Sequence, residues 1–111
     1  MFIVATKPTF KWPVDLDIPG DKKPQKVQFT GIFNRLPQSR LDEMFSGDVT
    51  PTDENIVREV MAGWEDVKDD ASADLEFNPV NLGVLLEVAG MRQAIARSFF
   101  EAINGAGKRK N

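Results

Sequence analysis

Phe10, Trp12, Val14, Leu16 and Ile18 alternate with Lys11, Pro13, Asp15, Asp17 and Pro19. A period of two over ten positions predicts a strand with one buried face. Pro13 has no backbone N–H, so this strand belongs at a sheet edge or at a bulge. Pro19-Gly20-Asp21 through Pro24 is turn chemistry, with Gly20 free to take a positive φ. Alternation resumes at Val27, Phe29, Gly31 and Phe33, opposite Gln28, Thr30 and Asn34. The two runs predict an antiparallel hairpin with a loop of about six residues, whose Lys22, Lys23 and Lys26 form a solvated basic tip.

Beyond the hairpin the period changes to that of helices. A short helix is expected from Pro37 to Ser46, with Leu41, Met44 and Phe45 as its buried stripe and Gly47 as its stop. Thr50-Pro51-Thr52-Asp53 offers a capping hydroxyl, a proline at the first helical position and a carboxylate two places on. Ile56, Val57, Val60, Met61 and Trp64 then form one helical arc, with Gly63 loosening the last turn. Trp64 to Phe77 reads as a small second hairpin around the acidic tip Asp69-Asp70-Ala71-Ser72-Ala73-Asp74. That tip lacks the spacing and the glycine of a calcium loop and is expected to be a solvated turn.

Asn78-Pro79 opens a third helix, Asn78 as N-cap and Phe77 placed to staple onto Leu82. Val80, Leu82, Val84, Leu85, Leu86, Val88 and Ala89 cover most of its circumference before Gly90 ends it. A helix this apolar is either a central core helix or is covered on one side by another chain. The last helix, Met91 to Asn104, has a regular stripe of Met91, Ala94, Ile95, Ser98, Phe99, Ala102 and Ile103. Phe100 falls on its polar back, where it either covers a neighbouring element or awaits a partner. The predicted fold class is α+β: an N-terminal antiparallel hairpin (1–35) packed on a mainly helical part (36–104) of about four helices with a small second hairpin. All 111 residues form one domain in this reading, with 105–111 as a flexible basic tail.

Composition narrows the chemistry. The chain has no histidine and no cysteine, which removes the usual general base, the usual transition-metal ligands and every thiol nucleophile. No nucleotide-binding glycine loop is present, and the acids lie in turns and on polar helix faces where nothing separates their pKa values. An enzyme is therefore not expected, nor a cofactor or metal. No apolar run approaches the roughly 20 residues of a membrane span, and Met1 to Lys7 does not read as a secretory signal. The net charge of −3 is unevenly placed: residues 1–40 carry seven bases and three acids, 41–87 thirteen acids and two bases, 88–111 five bases and one acid. An acidic middle opposes wrapping by nucleic acid, but the blocks are complementary within one molecule or between copies. What remains is a binding or assembly protein.

The chain resembles the tail assembly chaperones of long-tailed, siphovirus-type bacteriophages and prophages. The resemblance is carried by Glu59-Val60-Met61-Ala62-Gly63-Trp64-Glu65-Asp66-Val67, the acidic turn, Leu75-Glu76-Phe77-Asn78, the leucine-rich helix Pro79 to Gly90, the helix Met91 to Ile103 and the short basic tail. The hairpin with Phe29 and Phe33-Asn34-Arg35 fits as well. One departure is Asp70-Ala71-Ser72-Ala73, where a glycine is expected in the turn. The resemblance implies a non-catalytic factor of virion assembly that coats the hydrophobic tape measure protein, keeps it soluble and helps recruit tail tube protein. It implies self-association, work in the cytoplasm of the bacterial host and departure before the mature virion, with no nucleic acid or membrane as partner. It also raises a longer, frameshifted product arising near Gly107-Lys108. Leu82, Leu85, Leu86, Phe99 and Phe100 are the candidates for a self-association or client groove. The alternative is a small oligomerising adaptor of a phage or bacterial assembly. A third reading, a nucleic-acid-binding module, would use Lys11, Trp12, Lys22, Lys23, Lys26 and Phe29.

Overall fold

The structure, a computed structural model, describes residues 7–46, 50 and 52–105. The element order is β1 (Thr9–Ile18), β2 (Gln25–Asn34), α1 (Gln38–Met44), α2 (Glu54–Val60), β3 (Met61–Glu65), α3 (Pro79–Leu86) and α4 (Met91–Ile103). β1 and β2 pair antiparallel from Thr9 opposite Asn34 to Ile18 opposite Gln25. The alternation does what its period requires: Val14, Phe29 and Phe33 are buried on one face, and Lys11, Asp15 and Asp17 are exposed on the other. β1 is an edge strand. The Asp15 carbonyl accepts a bond from Arg97 Nη2 on α4 (3.0 Å), so Asp15 and every second residue from it face the free edge. Pro13 shares that parity, and its missing N–H costs no ladder bond.

The hairpin turn corrects one expectation. Gly20 does not adopt a positive φ; among the described residues Gly90 and Gly105 are the glycines that do. Glycine is required at position 20 for a different reason: a Cβ there would run into the Lys23 carbonyl oxygen.

The second helix differs most from the reading of the sequence. It starts at Glu54, with Asp53 as N-cap accepting from Asn55 N–H (2.8 Å). The Asp53 N–H bonds back to the Thr50 carbonyl (2.8 Å), so Thr50 opens a turn and does not cap the helix. The helix also stops four residues before Trp64. Met61 is extended (φ −90°, ψ 126°), and Met61–Glu65 is a third strand on the free edge of β2. The pairing shifts between Ile32 and Phe33, which accommodates the extra residue on β3 as a bulge. Ile56, Val57 and Val60 are buried by α2, while Met61 and Trp64 are buried by the strand. Offsets of 5 and 8 from Ile56 match both a helical arc and positions inside a following strand. Ala62-Gly63 breaks the tie, because glycine costs a helix roughly 1 kcal/mol and here lies flat against Ile32.

The second hairpin is reduced to one bridge, Lys68 with Asp74, flanked by Leu75 N–H to the Val67 carbonyl (2.8 Å). Asp69 Oδ1 accepts from the N–H groups of Ala71 (2.8 Å) and Ala73 (3.0 Å), holding the turn from its side chain. Ser72 has φ 63° and occupies the left-handed position where glycine was expected. That conformation costs a non-glycine residue about 1–2 kcal/mol, which the Asp69 bonds offset.

α3 begins as its sequence dictates: Asn78 Oδ1 accepts from Asn81 N–H (2.8 Å) and Pro79 fills the first turn. It ends at Leu86, earlier than Ala89, and turns at 85–91 lead to Gly90 (φ 85°), which caps α4. A Cβ on Gly90 would stand 3.2 Å from Leu16 Cδ1, so this reversal sits tightly on β1. α4 covers the inner face of the hairpin, Phe99 meeting Phe10 (6.1 Å between ring centroids) and Phe33 (5.7 Å). α1 buries Met44 and half-buries Leu41, but Phe45 is 58% exposed, a correction to the expected stripe. It stands at the C-cap, where the chain has left the helix. Gly47, the expected stop, and the basic tail beyond Gly105 lie outside the described residues.

Candidate interaction site

Around α3 the apolar positions divide into two opposite faces. Leu82 and Leu86 point into the core. Val80 and Val84, four residues apart, fall on the far side of the wheel, where Val80 is 75% and Val84 61% exposed, while Val88 lies beyond the end of the helix. Gly83 faces α2: a Cβ there would meet Arg58 Nη2 at 3.0 Å. Arg58 bonds the Pro79 carbonyl (3.1 Å) and Glu54 Oε2 (2.9 Å), tying the two helices together. Leu85 is half-buried on the side facing the hairpin. There, with Leu16, Ile18, Val27, Val88 and Met91, it lines an apolar groove of about 240 Å³ whose rim includes Asp66 and Lys68.

A second apolar patch stands at the other end of α4. Phe100 is half-buried, its ring 5.0 Å from Phe45 and 5.4 Å from Phe99. It covers a neighbouring element, the end of α1. Phe45 and Ile103 expose apolar surface beside it. The five candidates therefore do not form one surface. Leu82, Leu86 and Phe99 belong to the core cluster, while Leu85 and Phe100 edge separate patches. Val80, Val84, Val88 and Phe45 were not among the candidates. The valines had a signal in their spacing of four, directly opposite Leu82 and Leu86.

The charged side chains brace this scaffold. Arg40 on α1 grips Glu59 on α2 through two bonds (Nε–Oε2 2.7 Å, Nη2–Oε1 2.6 Å) and reaches Glu43 (2.9 Å). The Arg40 bonds hold the Glu59 carboxyl below the usual carboxylate range, against the opposing pull of burial, and Glu59 in turn raises the Arg40 guanidinium. Glu59 binds its proton less readily folded than unfolded. Its contribution to stability is thus complete above the ordinary carboxylate pKa of about 4.3 and is lost as pH falls through the depressed folded value. Glu59→Gln should lower the melting temperature at neutral pH, and thermal melts from pH 7 to pH 3 should show a shallower acid loss than the wild type. Equal slopes would remove Glu59 from that role.

Lys11 and Glu65 pair across the outer face of the sheet (2.7 Å), and Lys68 pairs with Asp74, which raises the lysine. Among the described residues, no three acidic side chains are grouped to hold a metal ion, and no helix is long and apolar enough to cross a membrane. No curated protein and no solved structure matches the chain. A family model does, over residues 1–111, and its description is phage tail assembly chaperone. With the whole length matched, and with exposed apolar patches on a braced α+β scaffold, the chain belongs to the phage tail assembly chaperone family.

Proposed function

We propose that this chain is a non-catalytic chaperone that shields apolar segments of the tape measure protein in the host cytoplasm and helps recruit tail tube protein. The observation that carries this reading is the valine stripe of α3, with Val80 and Val84 each more than half exposed on a folded helix. Surface valines in a contiguous row have no role in the core, and they lower helix propensity. They are suited to covering a guest's apolar side chains. A pair of small side chains also makes a weak contact, which suits a factor displaced when tube subunits arrive. Self-association belongs to this reading, as a row of copies covers a long guest.

Co-expression with the tape measure protein of the same phage tests it. Wild-type chain should move that protein from the insoluble to the soluble fraction, and the Val80→Asp/Val84→Asp variant should not, while keeping a native far-UV circular dichroism spectrum. A tape measure protein equally insoluble with and without the wild type would overturn the reading.

A further inference from the structure

β2 is paired along its whole length on one side only. β1 lies beside all of Gln25–Asn34, whereas β3 reaches just Thr30 to Phe33. At Asp66 the backbone turns left-handed (φ 68°) and leaves the sheet, so no described strand flanks Gln25 to Phe29 on that side. The Asp15 carbonyl faces the free edge of β1, and Asp15 lies opposite Gln28. By antiparallel geometry Gln28, and Lys26 two places before it, therefore turn their N–H and C=O groups away from β1 and toward the open side. No described residue bonds to these four groups. We propose that this open stretch of β2 receives an extended segment of the guest as an added antiparallel strand, with an apolar side chain seated in the groove. The proposal rests on the chaperone reading above and adds the binding mode and the sequence pattern recognised.

Three features of the molecule support it. The first is that the open backbone and the groove coincide. Val27, Gln28 and Phe29 form one wall of the groove, and Asp66, Val67 and Lys68 form another. A guest residue opposite Gln28 shows its side chain outward, and its two neighbours turn inward toward Leu85, Val88 and Met91. An apolar cavity of about 150 Å³ accepts a benzene ring, and the groove measures about 240 Å³. It has room for one large apolar side chain.

The second is the contrast with the other edge of the sheet. Along the free side of β1, Pro13 offers no donor and Arg97 already holds the Asp15 carbonyl. Sheets are commonly blunted against added strands in this way. From Gln25 to Phe29, β2 has neither a proline nor a register shift. One edge is closed, and the other is open where the groove is.

The third is charge. Asp66 at the rim forms no ion pair with a described residue, and its turn carries Asp69, Asp70 and Asp74 against the single base Lys68. Past Ile18, at the other end of the groove, the hairpin loop carries Lys22 and Lys23. A strand continuing the line of β3 enters beside Asp66 and leaves beside that loop. The matching segment has a basic residue before its apolar positions and an acidic residue after them.

The test uses the full chain and a synthetic peptide, acetyl-Lys-Thr-Leu-Thr-Val-Thr-Glu-amide, read by titration calorimetry and amide hydrogen exchange. Binding should slow exchange at the Lys26 and Gln28 N–H groups. N-methylation of the peptide's threonines removes the donors that face β2 and keeps both apolar side chains, so affinity should fall about tenfold or more. Gln28→Pro removes one donor from β2 without touching its pairing to β1, and should weaken the peptide about fivefold. Circular dichroism verifies that variant's fold, and the N-methylated peptide makes the same test on unaltered protein. No binding, or equal affinity for the N-methylated peptide, overturns strand addition. Equal affinity for the peptide with Lys and Glu exchanged overturns the orientation. Slow exchange at Lys26 and Gln28 without peptide means that this chain or another copy already covers the edge, and overturns the guest assignment. Tape measure solubilisation is read separately. Solubilisation by a wild type that does not bind the peptide defeats this inference and leaves the chaperone reading standing. Peptide binding on β2 with the tape measure protein left insoluble does the reverse.

Discussion

Phe99→Ala should lower the unfolding free energy by about 3–5 kcal/mol, measured by urea titration. Phe99 is 1% exposed and is in contact with Phe10, Phe33 and Phe100, so its removal empties the seam between α4 and the hairpin. Collapse into the void is hindered. Phe33 is fully buried, and a Cβ on Gly31 would already stand 2.8 Å from the Phe33 ring and 3.2 Å from Val14. A floor packed that tightly relaxes little, which places the cost toward the upper part of the range. Against a total of about 5–15 kcal/mol for a domain, such a loss leaves a substantial unfolded fraction. The result also separates core from surface among the sequence candidates. If Phe99 instead served mainly as an association site, its substitution would change sedimentation while leaving the urea midpoint in place.

Legibility in the sequence followed the number of physical constraints acting on each segment. The hairpin is fixed by strict alternation, two prolines and a glycine within one short window, and its edge position followed from Pro13. α3 was marked by Asn78 and Pro79, and α4 by a stripe with Phe99 near its middle. The α2–β3 junction was not legible, because Met61 and Trp64 fit the helical arc as well as the strand and nothing in the local sequence shows that β2 has a free edge. Where α2 starts was hidden for a related reason: Thr50 and Asp53 are both capping residues, and the choice between them depends on the turn before the helix. For the site, the excess of apolar residues in α3 was visible, but its division into core leucines and outward valines requires knowing which side faces the hairpin. Phe45 was assigned to the core because the helical period was continued one residue past the point where α1 ends.

Trp64→Ala should cost a comparable amount, about 3–5 kcal/mol, and its effect should spread beyond the strand that carries it. Trp64 is buried on β3 opposite Gly31 of β2, whose missing side chain makes room for the Phe33 ring and Val14. The indole ring meets Phe77 edge-on at 4.9 Å, and its Nε1–H donates to the Leu75 carbonyl (2.7 Å). This side chain helps fasten the segment between β3 and α3, which is also held by the Lys68–Asp74 bridge, the bonds of its own turn and the Asn81 Nδ2 bond to the Glu76 carbonyl (2.8 Å). Asp66 and Lys68 at the groove rim are held by that segment. Trp64→Phe separates the two roles. It keeps most of the ring but removes the donor, for a loss of about 1 kcal/mol, and should speed amide exchange across 67–75 more than in α4. If exchange in 67–75 is unchanged in Trp64→Phe, the indole bond does not hold the rim. The groove would then owe its shape to β1, β2, α3 and the start of α4.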